Sequence, residues 1–197
     1  MTRFAELAAL CRRLEQTGSR LEKRRLTAEF LGQVDPGEIE TAVAFLTGRV
    51  VPVSDPRVLG VRGLPRVSAP SEGEPLELDD VRRAFGAIAE ATGAGSRQLR
   101  QQHLLKLALR ASEDERVILH RIIGGEMRTG VSEGVMLEAL GALAGGDVAA
   151  VRRAALFLGD LSAVAAIIVS GGAGALTAVE PRPFVPPSTT CWRRTPG

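Results

Sequence analysis

The 197-residue chain contains no tyrosine, no asparagine, one tryptophan and six phenylalanines. So few rings exclude a core built mainly of aromatics. With hydrophobic residues at 45%, the interior has to come from Ala, Leu, Val and Ile, a composition that suits packed helices better than a sandwich of strands. Lysine is almost missing too, since of 25 basic residues only Lys23 and Lys106 are lysine and the rest are arginine. Joint depletion of Lys, Asn and Tyr marks a GC-rich coding sequence, so the abundance of arginine does not by itself argue for a phosphate ligand. The formal net charge is only +2.

Cysteine is scarce as well. Cys11 and Cys191 lie near opposite ends of a chain that opens with the polar Met1-Thr2-Arg3 and has no apolar leader, so a reduced, cytoplasmic protein is expected. The uncharged run from Leu161 to Val179 approaches the length of a membrane span. Gly171, Gly172 and Gly174 interrupt it and alanine dominates the rest, so no membrane role is expected. His103 and His120 stand outside any Cys-x-x-Cys or His-Glu-x-x-His pattern, which leaves no metal-site spacing. Gly171-Gly172-Ala173-Gly174 has no lysine after it, and Gly93-Ala94-Gly95-Ser96 lacks the rest of a phosphate-binding fingerprint. Acidic pairs such as Asp79-Asp80 fall at helix starts, where they complement the macrodipole. No residue is assigned a catalytic role.

What remains is helical periodicity. Phe4, Leu7, Ala8, Cys11 and Leu14 form one stripe of an amphipathic helix from Arg3 to Leu14. Ser19 is placed to cap a second helix, and Asp35-Pro36-Gly37-Glu38 to restart a third, with Glu38 closing a capping box. From Gly48 to Pro75 five prolines break any period and predict a long connecting segment. Further helices are expected from Leu78, from a Ser96 cap, and from a Ser112 capping box with Val117, Ile118, Ile122 and Ile123 inward. Others should follow Ser132, Gly145-Gly146-Asp147 and Asp160. The sum is an all-α domain of about nine helices over residues 1–178, followed by a linker and irregular tail over residues 179–197.

One segment stands out chemically. Gly124-Gly125-Glu126-Met127-Arg128-Thr129-Gly130-Val131-Ser132 crowds three glycines, an arginine and two hydroxyls into a turn just ahead of a helix. Close backbone approach, free amides and the donors of Arg128, Thr129 and Ser132 would hold a phosphate without reading sequence. From the residues alone a plain helix stop, turn and cap is the favoured reading. In the same way Arg20, Lys23, Arg24 and Arg25 read by default as a solvated face, and as a basic contact surface only beside a partner feature.

The order of these elements decides between the readings. Phe4-Ala5 with Leu7 and Leu10-Cys11 comes first, then Thr17-Gly18-Ser19-Arg20-Leu21-Glu22-Lys23, then Phe45-Leu46-Thr47-Gly48-Arg49. Gly95-Ser96, the stretch Gly124 to Ser132 leading into Val135-Met136-Leu137-Glu138-Ala139-Leu140, and Gly159-Asp160-Leu161-Ser162-Ala163-Val164-Ala165 follow in turn. The series resembles the N-terminal DNA-binding domain of ATP-dependent DNA ligases, and Gly-Glu-Met-Arg-Thr-Gly is its most specific mark. The resemblance implies an all-helical domain that grips nicked duplex DNA through the minor groove and the phosphates, in repair, replication or recombination. Arg20, Lys23, Arg24, Gly125, Arg128, Thr129, Gly130 and Ser132 are the contact residues it implies. It further implies a monomer, with ATP and magnesium serving the parent family's catalytic domain rather than this segment.

That family carries its adenylated lysine in a Lys-x-Asp-Gly motif of a later nucleotidyltransferase domain. Lys23 is followed by Arg24-Arg25 and Lys106 by Leu107-Ala108, so neither fits and no ligation is expected of these residues alone. In the family a Phe-x-Pro like Phe184-Val185-Pro186 leads shortly to a Met-Leu-Ala stretch. A shifted reading of the codons for Thr190 to Arg194 can encode Met-Leu-Ala-Glu, so the residues after Pro186 read either as out of frame or as a short natural tail. Two rivals to the DNA-gripping reading are a helical protein-interaction scaffold and an all-helical transcription regulator.

Overall fold

The computed structural model describes residues 1–53, 55–67 and 73–181. Among them are nine α-helices: α1 (Phe4–Gln16), α2 (Arg20–Leu31), α3 (Ile39–Leu46), α4 (Leu78–Glu90), α5 (Ser96–Arg110), α6 (Glu113–Gly124), α7 (Glu133–Leu143), α8 (Val148–Leu158) and α9 (Leu161–Ala175). Short 3-10 turns sit at Pro36–Glu38 and Leu176–Ala178, and the only extended pairing described is an isolated bridge between Arg3 and Glu77. The fold is all-α, as the periodicity implies. Cys191, Phe184-Val185-Pro186 and the tail whose reading frame is in question lie outside the described residues.

The helix starts follow the short polar side chains. The hydroxyls of Ser19, Ser112 and Ser132 accept from the amides of Glu22, Glu115 and Val135, and Asp147 and Asp160 do the same for Ala150 and Ser162. Ser112 and Glu115 complete the expected capping box. Two expectations are corrected. Ser96 is the first residue of α5 rather than its cap, because Gly95 takes that place with φ +84° and has no side chain to offer. Val117 is exposed and Leu119 is buried in its stead, so the inward stripe of α6 is Ile118, Leu119 and Ile122.

Glu38 is the third correction. Instead of closing a capping box it is buried, and its carboxylate accepts from the amide of Thr2 at 2.6 Å and from that of Asp79 at 3.2 Å. Thr2 in turn accepts from the Asp35 amide through its hydroxyl, while Phe4 and Leu78 donate to the carbonyls of Leu76 and Thr2. One carboxylate therefore joins the chain start, the turn before α3 and the start of α4. The long connecting segment therefore ends at a fixed point.

The centre of the core is aromatic despite the composition. Phe45 of α3 meets Phe4 of α1 edge-on, with ring centroids 6.3 Å apart, and Phe85 of α4 at 5.8 Å; all three rings are fully buried. Helix α3 packs against α4 and α9, α2 packs against α7, and α7 against α8. Helix α9 with the turn after it, Leu161–Ala178, is long and apolar enough by composition to cross a membrane. Within the fold its Val164, Ala165 and Ile168 are buried, and Gly172, at φ +67° and ψ −173°, breaks its helical course. Cys11 lies in the core, where burial pushes its thiol up to about 12.

Replacing Glu38 by Ala leaves two amides without their acceptor, and we expect a loss of roughly 2–4 kcal/mol in urea denaturation. Glu38→Gln keeps one acceptor oxygen and should lose less. Equal stability of wild type and Glu38→Ala would show that water replaces the carboxylate.

Candidate nucleic-acid interface

The α6–α7 turn is built by glycine where the backbone demands it. Gly125 ends α6 with φ +72°, its amide and that of Glu126 returning to the carbonyls of Ile122 and Arg121. Gly130, at φ +71°, faces Lys23 so closely that a Cβ there would stand 2.2 Å from Nζ. Between them Arg128 adopts φ +53°, the one non-glycine at positive φ among the described residues. An L-residue pays roughly 1–2 kcal/mol for that conformation, so the surrounding turn must impose it.

Helix α2 lies against this turn. The Lys23 ammonium donates to the Thr129 carbonyl at 2.8 Å, across 106 residues of sequence. Arg20 reaches α7, where Nη2 donates to Glu138 Oε1 at 2.6 Å and Nε to Oε2 at 3.5 Å. The hydrogen bond from Arg20, seconded by its charge, holds the Glu138 carboxyl below the usual carboxylate range. Gly134 makes room for the guanidinium, since a Cβ there would lie 3.0 Å from Arg20 Nη2 and 3.8 Å from Ser132 Oγ. Arg24 makes no hydrogen bond among the described residues and adds its field to that of Arg20 at Glu138.

The eight residues of the sequence reading thus do not form a single cluster. Lys23, Thr129 and Gly130 are in direct contact, and Arg20 lies beside Ser132 at the start of α7, with Arg24 on the same helix as Arg20. The Arg128 side chain is 77% exposed and, among the described residues, pairs only with Glu126, at 2.5 Å. Gly125 backs onto Gly48, where a Cβ would come within 3.1 Å of the Gly125 carbonyl oxygen. Thr129 is turned inward, 2% exposed, and its hydroxyl accepts from the Val131 amide at 3.5 Å. Ser132 spends its acceptor on the cap of α7. These two hydroxyls shape the turn, while the exposed donors of the face are the forks of Arg20 and Arg128, and Lys23 is half-buried.

Sequence reasoning gave no role to Glu138, Gly134 or Gly48. Glu138 carried a signal, as the sole charged residue of α7 beyond its first turn. The start of α9 joins the same region. Thr47, Arg49, Val131, Glu133, Gly159, Asp160 and Ser162 line a small cavity of about 200 Å³ between the ends of α3 and α8 and the starts of α7 and α9.

Comparison with known proteins bears on what this face meets. Residues 62–141 match the family model described as DNA ligase N terminus. A probable DNA ligase of Beutenbergia cavernae is 34% identical over 180 residues, 90% of this chain and 35% of the relative. Probable DNA ligases of Rhodococcus jostii and Anaeromyxobacter dehalogenans are each 36% identical, over 89% and 88% of the chain and 35% and 34% of their own lengths. The chain spans about a third of the length of the curated relatives it matches.

We expect Gly130→Ala to cost about 1–2 kcal/mol through its positive φ, and more because the new methyl displaces Lys23 from Thr129. In a Lys23→Ala background that second part is already gone, so the same substitution should cost about 0.5–1 kcal/mol less. Urea denaturation of the four proteins checks it, and strict additivity would mean that Lys23 moves aside without loss. The matched family segment reaches from residue 62 to 141 and the relatives align over about 90% of the chain, so the chain is similar to the N-terminal part of DNA ligases.

Proposed function

We propose that this chain is the duplex-gripping module of an ATP-dependent DNA ligase. It holds nicked DNA by its phosphates and along the minor groove, without reading sequence. It serves strand joining in repair, replication and recombination when coupled to a nucleotidyltransferase domain, to which ATP and magnesium belong. It works as a monomer in the bacterial cytoplasm. The observation that carries the reading is the docking of the basic first turns of α2 on the glycine turn that holds Arg128 exposed at positive φ. Strain persists where the surroundings over-determine it, and an arginine held outward in this way is a phosphate-positioning group in form.

Titration of labelled nicked and intact duplexes at several salt concentrations tests the proposal. Binding should weaken with salt with a log-log slope of several units, and Arg128→Ala should reduce that slope by about one. Salt-independent binding, or a variant identical to wild type, would sink it.

A second expected outcome concerns chemistry. Adenylation needs an activated lysine in a nucleotide pocket, and neither Lys23 nor Lys106 stands in a Lys-x-Asp-Gly motif. Incubation with radiolabelled ATP and magnesium should leave no label on these 197 residues after denaturation. Label mapped to either lysine would overturn the assignment of catalysis to another domain.

A further inference from the structure

Of the arginines at this face, Arg20, Arg25 and Arg128 already donate to carboxylates, and Arg24 makes no hydrogen bond among the described residues. Arg20 donates to both oxygens of Glu138, and Arg128 donates to Glu126. One turn along α2, Arg25 is clasped by Glu22 and Glu29 at 2.8 and 2.9 Å. A guanidinium meets a carboxylate and a phosphate in the same planar way, with N–H groups directed at two oxygens. Each of these acids therefore occupies the position that a backbone phosphate would need.

We propose that Glu138 and Glu126 are internal competitors of DNA phosphate for Arg20 and Arg128, and that they hold down the general affinity of this face for duplex. The inference rests on the DNA-gripping reading and adds to it a pair of residues that set how tightly undamaged DNA is held. The Arg20 side chain is 62% exposed, whereas that of Glu138 is 23% exposed on a packed helix, so the arginine is the partner free to move. Its tip already lies against the first turn of α7, where the absent side chain of Gly134 leaves it room. The Arg128–Glu126 pair spans only two residues, and both side chains are mostly solvated. For either arginine a phosphate contact is an exchange of one anion for another, so the net gain is the difference between two similar interactions. Without the carboxylate, the whole phosphate contact would count toward binding.

The test measures Kd for a fluorescein-labelled intact 20-base-pair duplex with Glu138→Gln, Glu126→Gln and a matched control, Glu90→Gln. Glu90 ends α4 and pairs with Arg57, which Asp55 also holds, so the control makes the same change of charge at an arginine outside the α2–α7 face. The two site variants should bind roughly threefold to tenfold more tightly than wild type at about 0.1 M salt, and the control less than twofold. In an Arg20→Met background the gain from Glu138→Gln should vanish. Weaker binding by both site variants would make the acids positioning residues. A gain no larger than that of Glu90→Gln, or a gain that persists without Arg20, would reduce the effect to net charge; each of these results overturns the proposal. Elution from immobilised heparin separates this from the parent reading. If wild type binds no duplex, that reading fails. The competition is then judged on the column, where later elution of the site variants than of Glu90→Gln supports it and co-elution overturns it.

Discussion

Phe45 is the residue around which the molecule is arranged. It stands edge-on between Phe4 and Phe85, and the eight-residue helix that carries it is buried at Ile39 and at every position from Thr41 to Leu46. A helix of two turns has no stability of its own in water, so α3 exists because α1, α4 and α9 enclose it. Its end is thereby fixed too. Thr47 and Gly48 leave the core at one place, and Gly48 abuts the carbonyl of Gly125 with no room for a side chain. The position of the α6–α7 turn on the surface is inherited from the packing of three rings beneath it.

The parts of this arrangement that sequence discloses are those whose causes are local. Ser19, Ser112, Ser132, Asp147 and Asp160 cap the helices that follow them because an oxygen two or three residues before an orphan amide needs only short-range geometry. The all-helical class and the long proline-rich connection follow from periodicity in the same way. Glu38 was read as a local cap and is instead a tertiary one, since its partners lie 36 and 41 residues away. Val117 is exposed because its neighbours three and four residues away, Glu113, Asp114, His120 and Arg121, are polar, whereas Leu119 shares its stripe with Ile122 and Ile123 and is buried.

The candidate site was legible to a different extent. The glycines and Arg128 announce an unusual turn, and the resemblance to DNA ligases supplied the α2 residues. That Lys23 bonds the carbonyl beside Gly130, and that Arg20 is held by Glu138, could not be read from either stretch alone. Thr129 shows the reverse: a hydroxyl that suggests a donor by type is committed to the interior of its own turn. The family match over residues 62–141 contains Thr129, Gly130 and Glu138 but not the α2 cations that meet them. The face is shared between a segment that the family model matches and one that it does not.

This sharing has a temporal side. Lys23 and Arg20 are separated from their partners by 106 and 118 residues, so a growing polypeptide delivers the cations of α2 long before the turn and helix that receive them. Closing loops of that length costs conformational entropy that local helix formation does not repay until both ends are present. While α1 to α6 emerge from the ribosome, α2 lacks α7, the helix on which it packs in the finished fold, and Arg20 and Lys23 lack the partners they have there. The basic face is therefore completed late in synthesis, and a chain halted before α7 carries the charges of the face without its shape.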